Sequence, residues 1–291
     1  MAQGVFPFKY EEEKRESGMT ALAGLPVYLD LASVMGLGES IEKHLHIKQQ
    51  GWTDKQTLLS LIMLNLAGGD CVDDLLKLKA DEGFCRILRR IEQKWMKRRE
   101  RRVLDRRWRK EQSQSLPSPS AVFRYLSVFH DRAQEKERIT GKAFIPVPNE
   151  HLRGLMKVNG DMVHFFQRHN PQKIATLDQD ATLVATTKRD ALYSYKGYKA
   201  YQPLNTWWAE QGLVLHTEFR DGNVPAGYEQ LRALQEALAS LPGGVETVRL
   251  RSDTAGYQHE LLRYCEKGED AHFGRIEFAI GCDVNPEFKK V

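Results

Sequence analysis

The sequence predicts a mixed α/β domain, a sheet with flanking helices, preceded by a mainly α-helical N-terminal region. Apolar residues recur at helical spacing through the first half of the chain. After Asn170 the texture changes to β-rich segments separated by turn residues, and two amphipathic stretches then alternate with two further β-rich segments. At 291 residues the chain has room for two modest domains, or for one domain with a substantial extension.

Residues 1 to about 20 are polar and aperiodic, as expected of an arm or a single edge strand. From Leu25 to Arg90 the pattern is helical. Val27, Leu31 and Val34 recur at helix spacing, and Thr53 is placed to cap DKQTLLSLIMLNLAG, which stops at Gly68-Gly69. Asp70 to Lys79 restarts the pattern. Helix, Gly-Gly turn, helix is compatible with a helix-turn-helix DNA reader, but apolar helical hairpins are far commoner as plain packing units. LPSPSAVFRYLSVFHD, Leu116 to Asp131, reads as a helix entered through prolines, with Ser118 or Ser120 as cap and Val122, Phe123, Leu126 and Phe129 as its apolar stripe. A second helix is expected over Asn149 to His169. The linker between them, GKAFIPVPNE, is the expected boundary between a domain 1–148 and a domain 149–291.

In the second half, QKIATLDQDATLVATT is the first expected strand, and YKAYQPLNTWWAE and GLVLHTEFRDG are its neighbours, the last two joined through Glu210-Gln211-Gly212. Pro225 to Leu241 is an amphipathic helix ended by Pro242-Gly243-Gly244. ETVRLRSD is a fourth strand leading into the helix AGYQHELLRYCEKG, and HFGRIEFAIGCD makes a fifth strand. Three antiparallel strands followed by helix, strand, helix, strand is the order of a ribonuclease-H-like core, and other α/β folds share it.

Composition narrows the partners. No stretch approaches the roughly 18 to 20 apolar residues of a membrane span, and the N-terminus lacks a secretory pattern, so a cytoplasmic, nucleoid-associated protein is expected. Cys71, Cys85, Cys265 and Cys282 are too scattered for a disulfide framework and read as buried thiols. The separations among His259, Cys265, His272 and Cys282 match no common zinc spacing. The net charge of +4 hides a strong local excess: between Lys94 and Lys110 ten cations face two acids, while the remainder is net acidic. Such density repels itself unless an anion neutralises it, and DNA phosphate is the expected one. Lys97, Arg98, Arg99, Arg101, Arg102, Arg106 and Arg107 are the candidate contacts, with a solvated helix as the alternative.

Two acidic points stand out. Asp178 and Asp180 lie two apart on the first strand, so both project from one face. Carboxylates on a face expected to be buried call for a compensating cation, and a divalent metal would serve. Asp253 ends the fourth strand, at the carboxyl edge of the sheet where α/β sites commonly lie. If the first and fourth strands are adjacent, these carboxylates converge. A helix cap for Asp253 and a water-facing edge for the pair are the competing readings.

TLDQDAT, Thr176 to Thr182, resembles the first catalytic block of insertion-sequence transposases of the DDE superfamily, in which Asp180 takes the aspartate's place and Asp178 is a companion. LRSDTAGYQHELLRYCEKG, Leu250 to Gly268, resembles the second block, with Asp253 as its aspartate. YQPLNTWWAEQGLVLHTEFRDGNVPA resembles the intervening strands, and LPSPSAVFRY the segment that precedes the core. The likeness extends over roughly residues 116 to 291. It implies a ribonuclease-H-like mixed sheet behind a helical DNA-binding region, two Mg2+ or Mn2+ ions in the complete site, and cleavage and strand transfer at terminal inverted repeats. It also implies double-stranded transposon-end and target DNA as partners, with a homodimer in the synaptic complex. The family's third carboxylate, a glutamate on a later helix, follows an inserted β-rich segment, so a C-terminally truncated transposase is expected here, with Glu287 a weak substitute. The alternatives are an inactive DNA-binding remnant that competes for transposon ends, and a ribonuclease-H-like nuclease without strand transfer.

Overall fold

The computed structural model describes residues 18–94, 98–99, 101–103 and 115–282. They form two compact units. The first comprises residues up to His130 together with Asn149–Val158, and the second comprises Asp131–Pro148 with the residues from Asn159 onward.

The first unit is helical: α1 Leu25–Val34, α2 Leu37–His44, α3 Asp54–Leu66, α4 Leu75–Ala80, α5 Glu82–Lys94 and α6 Pro119–Leu126. Thr53 caps α3 in a reciprocal box, its hydroxyl accepting from the Gln56 amide while the Gln56 side chain accepts from the Thr53 amide. Ser118, rather than Ser120, caps α6. Leu25, Leu29, Met63, Leu75, Phe84 and Val122 are buried together in the main core.

Two expected stripes are out of phase. In α1 the buried side chains are Leu25, Pro26 and Leu29, while Val27, Leu31 and Val34 face solvent. The segment LPVYLDLASV is apolar nearly all round, so spacing alone does not select its face. In α6, Val122 and Tyr125 are buried and Phe123 and Leu126 are exposed. The thiols divide likewise: Cys85 and Cys265 are buried, but Cys71 and Cys282 are exposed.

The second unit is built on a five-stranded sheet. Its strands are β1 Ile174–Ala181, β4 Leu204–Trp208, β5 Leu213–Glu218, β6 Thr247–Ser252 and β7 Glu277–Ile280, in the order β5-β4-β1-β6-β7. β1 pairs antiparallel with β4, and β4 with β5, whereas β6 runs parallel to β1 and β7 parallel to β6. This is the ribonuclease-H-like arrangement. A separate pair, β2 Val184–Ala185 with β3 Ala200–Tyr201, divides the expected first and second strands, the second being broken at Pro203. The remaining helices are α7 Arg132–Glu135, α8 Glu150–His169, which begins in the first unit, α9 Gln230–Ala239 and α10 His259–Lys267.

The inward face of the sheet carries Ala175 and Leu177 of β1, Trp208 of β4, and Val248 and Leu250 of β6, packed with Leu234, Ala237 and Leu261 of α9 and α10. The Trp208 indole N–H donates to the Ile174 carbonyl at 3.2 Å. α9 is shorter than the expected 225–241 because residues 225–229 form turns and Glu229 has φ 51°, outside helical space. α10 ends at Gly268, whose φ of +65° favours glycine, and a Cβ there would sit 2.9 Å from the Arg275 amide nitrogen.

Candidate active site

The register of the parallel pair assembles the site. Gln179 lies opposite Ser252, so Asp180 and Asp253 are each the next residue along neighbouring strands. Both side chains belong to exposed residues. One Asp253 oxygen accepts from the Ala255 amide at 3.0 Å and caps a 3-10 turn, Thr254–Gly256, that replaces the expected start of α10. Asp253 therefore is a cap as well as an edge carboxylate. Asp180 accepts from the Thr182 hydroxyl at 3.3 Å.

Asp178 has a different environment. Its carboxylate takes a two-point contact from Arg251, the residue opposite it on β6, with Nε to Oδ1 at 2.5 Å and Nη2 to Oδ2 at 2.6 Å. The compensating cation for Asp178 is thus a guanidinium. The carboxylate-bearing face is also not the buried one. Inward positions of β1 are Ala175, Leu177 and Gln179, so Asp178 and Asp180 project from the opposite, more open face.

Directly beneath the two exposed aspartates runs a buried polar row that the sequence reading missed. Gln179 is 1% exposed, with Thr206 of β4 opposite it on one side and Ser252 on the other, and His216 of β5 lies opposite Thr206. Both side-chain amide atoms of Gln179, Thr206 Oγ1, Ser252 Oγ and His216 Nδ1 are buried with no hydrogen bond from the protein. Groups of this kind are usually bridged by internal water. The available signal was Gln179 itself, a polar residue in the inward phase of an otherwise apolar strand.

His216 faces Glu236 of α9, Nε2 to Oε2 at 3.1 Å. Burial pushes the imidazole pKa below its usual value, against the opposing pull of Glu236 and Glu218. The sign is fixed by proton uptake: below about pH 6.5 the unfolded chain binds a proton that the folded chain does not. Stability therefore falls on acidification from about pH 6.5 toward the depressed pKa, with a slope of at most about 1.4 kcal/mol per pH unit. Urea unfolding at a series of pH values should show this component in the wild type and lose it in His216→Gln; equal slopes in the two proteins would refute the assignment.

Loop residues after β5 are held by a second set of charges. Arg220, with no exposed side-chain surface, donates from Nε to Glu218 at 2.7 Å and from Nη1 to the Tyr228 carbonyl at 2.7 Å. Arg232 of α9 binds Glu218, Glu229 and Glu236. Arg138 pairs with the buried Asp221 at 2.8 Å. Gly222 follows because a Cβ there would lie 2.5 Å from the Ala200 carbonyl oxygen. Strand end, loop and α9 are thereby tied together.

The family described as transposase DDE domain, group 1, matches the chain over residues 13–290. The chain belongs to that DDE transposase family. No curated protein and no solved structure matches it.

DDE transposases normally use divalent metal ions and act on DNA. Asp180 and Asp253 fit that requirement in kind, being hard oxygen donors at neighbouring strand ends. Among the described residues, no group of three or more His, Cys, Asp or Glu side chains is arranged to hold a metal. Glu287 lies outside the described residues, as do Lys97, Arg106 and Arg107. Arg98, Arg99, Arg101 and Arg102 sit on helical backbone with exposed side chains. Among the described residues, no helix is long and apolar enough to cross a membrane.

Proposed function

We propose that this DDE transposase cleaves DNA and joins strands at the terminal inverted repeats of an insertion sequence, with Asp180 and Asp253 as metal ligands. The observation that carries the reading is the parallel β1–β6 register, which brings the two aspartates to neighbouring strand ends. Mg2+ or Mn2+ held there supplies activation of the attacking oxygen and stabilisation of the leaving one, two ions serving the complete site.

The chain's own residues do the rest. Asp180 and Asp253 present acceptor oxygens at the open edge, and the cap from Asp253 to the Ala255 amide fixes its carboxylate orientation. Asp178 is the companion carboxylate. Held by Arg251, it clamps β1 to β6 and keeps the two strand ends in register. Lys97, Arg98, Arg99, Arg101, Arg102, Arg106 and Arg107 neutralise DNA phosphates, so affinity falls steeply with salt. Residues 1–148 act as the DNA-binding region and 149–291 as the catalytic core, and two copies hold two DNA ends in a nucleoid-associated complex.

The test is incubation of the chain with MgCl2 and a duplex ending in the element's inverted repeat. Nicked products together with joined strands are expected. Hydrolysis without joining identifies a nuclease, and salt-sensitive binding without either product identifies a protein that competes for transposon ends.

A further inference from the structure

We propose that the hairpin running from β2 to β3 is a stacking platform for unpaired DNA at the active-site edge, on which Tyr193, Tyr195 and Tyr198 receive bases. The inference deepens the transposase reading and rests on it.

The hairpin leaves the sheet just after Asp180. β2 begins four positions beyond that aspartate, and the chain returns through β3 to enter β4 at Leu204. Its arms are held by the β2–β3 pair, a bridge between Tyr193 and Lys199, and amide bonds from Ser194 to the Tyr198 carbonyl and from Ala200 to the Leu192 carbonyl. Ala191, Ser194 and Ala200 are buried and anchor the base. The aromatic residues are not. Tyr193 is 65% exposed, Tyr195 75% and Tyr198 39%. Three large rings thus lie within six residues of one hairpin, two of them mostly open to solvent.

Charge indicates what covers them. Lys188, Arg189, Lys196 and Lys199 stand against a single acid, Asp190, between β2 and β3. Arg189 and Lys196 belong to exposed residues, and Lys196 and Lys199 carry their ammonium groups 5.8 and 6.0 Å from the ring centroids of Tyr195 and Tyr193. Interleaved cations and accessible aromatic faces match a nucleic-acid strand, whose phosphates meet the cations and whose bases meet the rings. A base offers its face only when it is unstacked, so the fitting ligand is an unpaired extension or a locally opened end, not intact duplex. A protein partner, including a second copy of this chain, is the competing occupant of exposed tyrosines.

The experiment compares the intact 291-residue chain with a variant in which all three tyrosines are alanine, and with one in which all three are phenylalanine. Fluorescence anisotropy is read on a blunt duplex and on the same duplex with an unpaired extension of about six nucleotides carrying 2-aminopurine. Wild type should favour the extended DNA and change the 2-aminopurine emission. Alanine should lower that preference by about tenfold or more and abolish the emission change, while phenylalanine preserves both. Circular dichroism confirms that the exposed substitutions leave the fold intact. Lys188→Gln with Lys196→Gln should also flatten the salt dependence on the extended DNA by about 1.4 in log–log slope.

Equal preference and equal emission in wild type and the alanine variant overturn the platform, as does an alanine variant that changes only self-association in sedimentation. If blunt duplex is bound and cleaved with no preference for the extension, the platform fails and the transposase reading stands. If neither DNA is bound or cleaved, both fail.

Discussion

Replacing Asp180 or Asp253 with asparagine is expected to reduce divalent-ion-dependent DNA cleavage by about a thousandfold or more, the scale of losing several kcal/mol of charge stabilisation. Asparagine keeps the shape of the side chain and removes its charge. At position 253 the choice matters further, because an asparagine oxygen can still accept from the Ala255 amide and preserve the capped turn. A loss in Asp253→Asn therefore reports on the carboxylate, whereas Asp253→Ala would mix a lost ligand with a lost cap. Mn2+ binding followed by electron paramagnetic resonance should weaken in parallel with cleavage. Wild-type metal-dependent cleavage in either variant would sink the ligand assignment.

Arg220→Met is expected to destabilise the second unit by about 3 kcal/mol. The substituted side chain leaves the Tyr228 carbonyl and one Glu218 oxygen without their donor inside the protein. That figure sits at the lower end of the usual range for breaking a buried pair, because Arg232 continues to hold the other oxygen of Glu218. Arg249→Met is the natural comparison. It removes a pair with Glu277 between two exposed side chains, where about 0–1 kcal/mol is at stake. Urea unfolding of both variants checks the contrast, and a loss below about 1 kcal/mol in Arg220→Met would show that the buried guanidinium is dispensable.

Part of the sheet was legible because its strands alternate: Val248 and Leu250 mark the inward phase of β6, whereas in β1 the face bearing Asp178 and Asp180 was expected to be the buried one and the inward residues are Ala175, Leu177 and Gln179. The order of elements left the first and fourth strands as candidates for adjacency, and the structure pairs them as β1 and β6. Other features depend on partners far away in sequence. Nothing local distinguishes the buried Arg220 from the exposed Arg189, since the difference lies in Glu218, Tyr228 and the helix that covers them. The pairing of Asp178 with Arg251 is likewise a matter of register across two strands. The hairpin of three tyrosines escaped notice because its paired segments are only two residues long, too short for alternation to register. The misphased helices erred for the opposite reason, having more apolar positions than a single face can use.

The β1–β6 pairing also sets an order of events as the chain emerges from the ribosome. β1 finds β4 and β5 close behind it, so three of the five strands can form as a local meander. Asp253 stands seventy-three positions after Asp180, beyond the whole of that meander and α9. With Asp180 and Asp253 as the proposed ligands, the pair is incomplete until β6 has been made and has crossed back beside β1. On this reading, the ability to capture a metal ion arrives late in synthesis, after much of the supporting sheet is already in place.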